Sequence, residues 1–446
     1  MGSSTDTIFA LSSAPGRAGV SVFRMSGPEA FDIARRITGQ PLPKIRTAFV
    51  RRISDEADII DEALLICMKG PNSFTGEDTV EIQGHGSLAV IEGVSAVLLK
   101  NGARQSEAGE FTRRAFLNGR MDLTEAEGLA DLIDSETTGQ RRQAMRQMQG
   151  GLRETYEDWR EDLIEALAYI EGEIDFPDEG DIPDALSKKA GPPLIRAKKK
   201  MQSILDGASR GERVRAGLNI AIIGPPNAGK SSLINSLAGR EAAIVSTQAG
   251  TTRDIIDIQM TMGGLPIRLS DTAGLRVSDD DIEAEGVRRA VDLAKAADIR
   301  LFVHDVSLGA WSGSEYIDPK KGDALVLNKI DKFHDFDVET VQETLKTFLL
   351  SAKGGQGVEA LQSWLEGEII SRFGPQDMPG LTRVRHRACV SSAVDAIERA
   401  ESSLSLAAEL AGEDIRSALK SISELAGETD MEAVFDQIFL RFCIGK

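Results

Sequence analysis

The sequence predicts a multidomain chain: an N-terminal α/β unit, then an all-α helical unit, with a second α/β unit inserted among the helices. Three observations predict it. Strand-like and helix-like runs alternate over residues 1–120. Helical periodicity dominates 121–213 and returns over 376–446. Between these, over 214–375, short apolar runs each end in a polar motif, the pattern of parallel strands that carry a site at their carboxyl ends. At 446 residues the chain is long enough for two or three domains, each with its own core.

In the first unit, strands are expected over Thr7 to Leu11, Gly19 to Arg24, Ala63 to Met68 and Thr79 to Gln83, with helices over Glu29 to Thr38 and Ser87 to Lys100. The segment from Asn72 to Glu81, with Gly84-His85-Gly86 after it, is rich in polar groups and glycine and reads as turns, with His85 structural. In the helical unit, Thr124-Glu125-Ala126-Glu127 reads as a capping box. Helix continues over Arg153 to Glu173, breaks at Asp175 to Gly180, and resumes from Asp184 to Ala208. The glycine-rich, basic run Gly211 to Gly217 leads into the inserted unit, and helix returns over 383–442, with Gly412 and Gly427 as punctuation.

The inserted unit carries the chemistry. Gly224-Pro225-Pro226-Asn227-Ala228-Gly229-Lys230-Ser231 fits the G-x-x-x-x-G-K-[ST] loop, between the apolar run Leu218 to Ile223 and a helix start at Ser232. Glycines let backbone N–H groups converge on phosphate oxygens, and the helix N-terminus adds positive charge. Lys230 is expected at the β- and γ-phosphates and Ser231 on Mg²⁺. Asp271-Thr272-Ala273-Gly274 ends a strand where an Asp holds Mg²⁺ through water and a Gly N–H senses the γ-phosphate. In Asn328-Lys329-Ile330-Asp331, a carboxylate at Asp331 can accept from guanine N1–H and the 2-amino group; adenine lacks both donors. Ser351-Ala352-Lys353 suits the guanine O6. Four motifs in order, each at a strand end, predict a Ras-like P-loop GTPase α/β domain.

Leu275 stands where many GTPases place a water-orienting Gln. An aliphatic side chain cannot polarise water, so a carboxylate of Asp279 to Glu285 is a candidate; the same run also reads as an acidic first helical turn. Arg253 and Arg276 are nearby cations that serve either as a finger or in salt bridges. Asn227 offers a different route: a side-chain carbonyl facing the phosphates can coordinate a monovalent cation in the finger's place. Thr252 is the natural hydroxyl for Mg²⁺ once γ-phosphate is bound, and the small, polar run Ala243 to Gly250 before it can complete a cation cage with its carbonyls.

Lys+Arg of 52 against Asp+Glu of 70 gives a net charge of −18, which opposes strong direct nucleic-acid binding unless a local patch overrides it. The patches at Arg141-Arg142 with Arg146, Lys198 to Lys200 and Arg383 to Arg387 read as solvated helix faces. Three cysteines without a CxxC pair indicate a reducing cytosol and no structural zinc. No signal peptide and no apolar span of about eighteen residues is present, so a soluble, cytoplasmic protein with no membrane contact is expected. Cys443, beside the cation at Lys446, reads either as a nucleophile of lowered pKa or as part of a frayed tail.

Together, Gly-Pro-Pro-Asn-Ala-Gly-Lys-Ser-Ser, Gly-Thr-Thr-Arg-Asp, Asp-Thr-Ala-Gly-Leu-Arg and Asn-Lys-Ile-Asp, with Asn-Ser-Phe-Thr-Gly-Glu-Asp upstream and Phe-Cys-Ile-Gly-Lys at the end, closely resemble the MnmE (TrmE) tRNA-modification GTPases. The resemblance runs from about residue 7 to 446. It implies a tetrahydrofolate-binding-like and dimerising domain over 1–120, a helical domain over 121–213 and 376–446, and the G domain over 214–375. It further implies a homodimer whose GTPase is activated by potassium-driven G-domain dimerisation. Carried over by position, Asn227, Ser246, Gln248 and Thr251 are K⁺ ligands, Ser231 and Thr252 bind Mg²⁺, and Glu283 orients the water. The GTP contacts run over Asn227, Ala228, Gly229, Lys230, Ser231 and Ser232; Ser246, Thr247, Gln248, Ala249, Gly250, Thr251 and Thr252; Asp271, Thr272, Ala273 and Gly274; Asn328, Lys329 and Asp331; and Ser351, Ala352 and Lys353. Arg24, Glu81, Arg120 and Lys446 match positions for a one-carbon donor, 5-formyl- or 5,10-methylene-tetrahydrofolate, and Cys443 takes a positioning role. The implied partner is an MnmG/GidA-like flavoprotein using FAD and NADH, in a heterotetramer that meets tRNA mainly as a complex. Together they would build the 5-carboxymethylaminomethyl or 5-aminomethyl group on wobble uridine 34. Competing readings are a folate-binding scaffold whose GTPase controls assembly alone, and a ribosome-assembly GTPase.

Overall fold

The computed structural model describes residues 6–42, 44–175, 186–239, 257–271, 291–309, 311, 313–314, 317–332, 345–374, 380–404, 406–428, 435, 438–440, 442 and 445. Its N-terminal unit contains β1 (Ile8–Leu11), β2 (Ala18–Ser26), α1 (Ala30–Thr38), β3 (Ala48–Asp55), β4 (Asp58–Met68), β5 (Thr79–Gly86), α2 (Leu88–Lys100) and β6 (Arg104–Gln105). The sheet order is β3-β4-β5-β2-β1-β6. Alternation decides which face is covered: Val80 and Ile82 of β5 join a core with Ile33 and Ile37 of α1 and Val94 and Leu98 of α2. Glu81, between them, stays on the opposite face, in register with Arg24 of β2. Sequence reading missed β3, where adjacent Arg51 and Arg52 blur the period of two; the strand lies at the sheet edge, which tolerates them.

The N-terminal unit closes with α3 (Glu110–Leu117), and the helical unit begins with α4 (Leu123–Ile133), α5 (Thr138–Met148), α6 (Gly151–Asp175) and α7 (Gly191–Ala216). The expected capping box at Thr124 and Glu127 is corrected. Asp122 is the cap: its carboxylate accepts from Glu125 N at 2.8 Å, and Glu125 Oε2 accepts from Asp122 N at 2.7 Å. An acidic cap with Glu three residues later outcompetes the Thr, whose hydroxyl donates to Asp122 instead. The break expected at Ala208 is also corrected, because α7 runs through Gly211 to Ala216. Gly211 is placed there by packing: a Cβ would fall on Leu381 O, so only glycine lets the returning chain pass.

The inserted unit contains β7 (Leu218–Ile223), α8 (Lys230–Ala238), β8 (Asp257–Met262), β9 (Leu265–Asp271), β10 (Ile299–Asp305), β11 (Ala324–Asn328), β12 (Lys346–Leu350) and α9 (Val358–Phe373). Its order is β12-β11-β10-β7-β9-β8, parallel except for β8 against β9. The chain then returns through α10 (Val384–Ser403) and α11 (Ala408–Ala426). Tyr156, Trp159, Leu163, Ala166 and Ile170 recur every three or four residues along α6 and bury against Leu194 and Met201 of α7, Ile397 of α10 and Ile415 of α11. Gly412 lies inside α11 and not at a break, while Gly427 caps its C-terminus in the left-handed region.

The patch at Arg383 to Arg387 is not a solvated face. Arg385 and His386 both bind Glu127 of α4, at 2.9 and 2.6 Å, and Arg383 binds Asp131 at 2.7 Å. Burial alone would raise the Glu127 pKa, but His386, Arg385 and Arg383 outweigh it and keep the carboxyl well below its usual range. Burial pulls His386 below 6.5 despite Glu127, with both arginines adding to the effect. Folding lowers the His386 pKa, so protonation on acidification favours the unfolded chain and folding stability falls as pH drops below 6.5. Thermal unfolding between pH 7.5 and 5 checks this: the wild type loses stability on acidification, and His386→Asn flattens the dependence.

Candidate functional site

The phosphate loop joins β7 to α8, and two glycines in it are required by contact. A Cβ on Gly224 would fall on Val303 O of β10, and one on Gly229, at φ 95°, would fall on Asn328 Nδ2. Asn227 adopts φ 62° without being glycine. Lys230 opens α8 and donates to Gly224 O at 3.0 Å and Pro225 O at 3.1 Å, so its ammonium lies over the loop. Burial lowers its pKa, partly opposed by Asp271. The Ser231 hydroxyl donates to Asp271 Oδ2 at 2.8 Å. Asp271 is fully buried, and its Oδ1 has no hydrogen-bond partner among the described residues.

The guanine motif closes on this loop from the other side. Asn328 ends β11 and donates from Nδ2 to Ala228 O at 2.7 Å, while its Oδ1 accepts from Lys329 N at 2.8 Å and Ala352 N at 2.9 Å. One side chain thus ties three of the sequence motifs together. Lys329 Nζ donates to Asn227 O at 2.7 Å and to Asp305 Oδ2 at 2.6 Å. Ser351 is buried; a hydrogen bond from its hydroxyl is the main cause holding the Asp331 carboxyl below its usual pKa. Asp331, Ser232 and Lys353 are exposed, whereas Ala228 and Ala352 are buried.

Sequence reasoning missed Asp305, which ends β10 and is only 7% exposed. The available signal was a carboxylate closing a strand otherwise rich in apolar residues. The segment 307–321 carries none of the sequence motifs. The described part is anchored by Trp311 against Phe302 and by Arg300, whose guanidinium binds Asp323 Oδ2 at 2.6 Å and Asp318 O at 3.1 Å. Ser246, Thr247, Gln248, Ala249, Gly250, Thr251, Thr252, Thr272, Ala273, Gly274, Glu283, Cys443 and Lys446 lie outside the described residues, as do Arg253 and Arg276.

A second group gathers in the N-terminal unit. Arg24 Nη2 donates to Glu81 Oε1 at 2.9 Å, and its guanidinium lies 5.0 Å from the Phe74 ring centre. The polar segment around Phe74 is a hydrogen-bonded turn: the Ser26 hydroxyl meets Glu77 Oε2 at 2.7 Å, and Asn118 Nδ2 donates to Thr75 O at 2.7 Å. A Cβ on Gly76 would stand 3.3 Å from Arg120 Cγ, which puts Arg120 beside that turn. His85 is exposed and bound through Nδ1 to Asp61 at 2.7 Å. From the far end of the chain, Gly445 O accepts from the Ser12 hydroxyl at 2.9 Å, and a Cβ on Gly445 would stand 2.5 Å from Leu11 O. The C-terminus therefore meets the end of β1, the strand paired with β2.

Comparison with known proteins identifies the family. The MnmE helical domain family matches residues 123–443, and the family described as GTP-binding protein TrmE N-terminus matches residues 7–120. A tRNA modification GTPase MnmE of Maricaulis maris is 50% identical over 445 residues, covering 99% of each chain. Another, of Paramagnetospirillum magneticum, is 46% identical over 446 residues, covering 99% of this chain and all (100%) of the relative. Among solved structures, Era of Aquifex aeolicus bound to GDP.AlF4- is 25% identical over 40% of this chain and 66% of that one. Its TM-score of 0.29 adds nothing to the assignment. With two family matches that together run from residue 7 to 443 and full-length relatives at this identity, the chain belongs to the MnmE family of tRNA modification GTPases.

Proposed function

We propose that this chain is a potassium-activated GTPase whose nucleotide cycle gates modification of wobble uridine 34 in certain tRNAs. It would act with an FAD- and NADH-using MnmG/GidA-like partner and a tetrahydrofolate one-carbon donor. The coarser statement follows from family membership: the chain is a GTP hydrolase acting in tRNA modification. The observation that carries the reading is the closure of Asn328 and Lys329 onto the Asn227 and Ala228 carbonyls, which joins base recognition to phosphate binding in one rigid unit.

Ser231 and Asp271 fit Mg²⁺. Both present hard oxygen ligands, and the buried Oδ1 of Asp271 lacks a described partner. When bound, the ion would neutralise charge on the β- and γ-phosphates. Lys230 adds a cation at the loop, and the first amides of α8 add partial positive charge. Asn227 is exposed at the loop's mouth, which suits it to hold K⁺ with Ser246, Gln248 and Thr251, while Thr252 would add the second Mg²⁺ hydroxyl. Glu283 would orient the attacking water, the role left open by Leu275.

In the N-terminal unit, Arg24, Glu81 and Arg120 would hold the folate, joined by Lys446. The seat of Gly445 on Leu11 and Ser12 supports that placement of the chain end. Exposed Val20, Val50 and Ile59 on the same unit support a homodimer through this sheet. The net charge of −18 supports leaving most tRNA contact to the partner.

Steady-state GTP turnover should be much faster in KCl than in NaCl, and Asn227→Ala should remove the difference; equal wild-type rates in the two salts would defeat the cation role. Glu283→Ala should slow hydrolysis by about two to four orders of magnitude, with GTP affinity nearly unchanged in equilibrium titration. Deleting residues 443–446 should spare GTP turnover and abolish modification, read by mass spectrometry of wobble nucleosides from complemented cells.

A further inference from the structure

Asp305 lies outside every motif that predicted the site, yet it is bound to one of them. Its carboxylate is fixed at both oxygens. Oδ1 accepts from Ser307 N at 3.0 Å and the Ser307 hydroxyl at 2.7 Å, capping the short turn after β10. Oδ2 accepts from Lys329 Nζ at 2.6 Å. That ammonium spends a second donor on Asn227 O at 2.7 Å. Asp305, Lys329 and Asn227 thus form a line from the end of one strand to the tip of the phosphate loop.

The line has a consequence for the loop's amides. Asn227 O is drawn toward Lys329 and Ala228 O toward Asn328 Nδ2. Two successive carbonyls of the loop are therefore held on the guanine side. Carbonyls captured there leave the loop's N–H groups to face the other way, as phosphate binding requires. The left-handed backbone at Asn227, φ 62°, is disfavoured for a residue with a Cβ and needs such anchoring. Lys329 is itself left-handed at φ 68°, so the clamp holds two strained residues at once. Burial would raise the Asp305 pKa, but Lys329 and Ser307 outweigh it and keep the carboxylate ionised.

We propose that Asp305 is a positioning residue for nucleotide binding, acting through Lys329 to preset the phosphate loop. The proposal rests on the GTP-binding reading above and is independent of potassium, folate or the partner. Because the clamp acts on the loop backbone, GDP and GTP should suffer alike. Removing the charge should weaken both without touching the hydrolytic groups.

The test is equilibrium and stopped-flow binding of fluorescent GDP and a non-hydrolysable GTP analogue to the full chain. Asp305→Asn should raise both dissociation constants by about tenfold, mainly through faster release, the loss expected for a charge-assisted hydrogen bond. Asp305→Glu, which keeps the carboxylate, should recover most of the affinity. Lys329→Met with Asp305→Asn should be no weaker than Lys329→Met alone, since the second change then removes nothing more. Additive losses in that double variant, or wild-type affinity in Asp305→Asn, would overturn the clamp. A general folding defect would instead lower the melting temperature of Asp305→Asn and Asp305→Glu together, with no rescue by Glu, and would also overturn it. Absence of guanine-nucleotide binding by the wild-type chain would sink the functional reading itself, and the clamp with it.

Discussion

One carboxylate holds the two crossings on which the inserted architecture depends. Asp131 Oδ1 accepts from Arg215 Nε at 2.8 Å and from Arg383 Nη2 at 2.7 Å. Arg215 lies on the chain leaving the helical unit, and Arg383 lies on the chain coming back. A domain inserted into another must leave and re-enter at one place, and here that place is fixed by an ion triad together with a bare backbone contact. The Gly211–Leu381 approach leaves no room for a side chain, and Gln143 Nε2 adds a bond to Gly211 O at 2.9 Å. Arg213, half a turn from Arg215, binds Asp298 at 2.8 Å on the G-domain side. The junction is therefore charged, with each of its guanidinium groups paired to a carboxylate. It holds geometry without the penalty of an unpaired buried ion.

The same pairing explains how basic runs coexist with an acidic chain that shows no large cationic face at these positions. Lys198 pairs with Glu401, and Lys200 pairs with Asp158 at 2.7 Å and Asp162 at 2.8 Å. Arg383, Arg385 and His386 are committed to Glu127 and Asp131. Cations spent on internal carboxylates release few counterions on meeting a phosphate backbone, so they add little to nucleic-acid affinity. A family of tRNA-modifying enzymes can thus contain a strongly negative chain without contradiction.

Much of the inserted unit was legible because local sequence decides it. β7 and β11 are buried on both faces and read as unbroken apolar runs, and the phosphate loop has a spacing that few other structures need. In the N-terminal unit β5 and α2 announce themselves by period, whereas β3 does not, since this edge strand buries Ile53 in the core but carries adjacent Arg51 and Arg52. Two of the errors in the helical unit share one cause. Gly211 and Gly412 look like breaks to local propensity, but each sits inside a helix at a close contact: Gly211 against Leu381, and Gly412 with a would-be Cβ 3.2 Å from Ile170 Cγ2. Arg385 and His386 looked solvated because Glu127, their partner, is more than 250 positions away in the chain. Asp305 escaped for the same reason: its role is set by Lys329, just past the end of the neighbouring strand, which no spacing rule reveals.

The G domain touches the helical unit at a second place, and this decides how a change in the site reaches the helices. Gly139 N, in the first turn of α5, donates to Gly264 O at 3.0 Å in the β8–β9 turn, where a Cβ on Gly139 would stand 2.7 Å from that oxygen. β9 starts at this turn and ends at Asp271, beside Ser231; β7 starts at the end of α7 and ends at the phosphate loop. The two strands are paired in parallel, Leu218 with Ile267 through Ile222 with Asp271. Both attachments therefore pull on one hydrogen-bonded ribbon whose far end is the nucleotide site. A ribbon held at both starting ends cannot shift one strand without the other, and packed backbones do not compress. The attachments at α5 and α7 thus lie at one end of the ribbon, and Asp271 and the phosphate loop lie at the other.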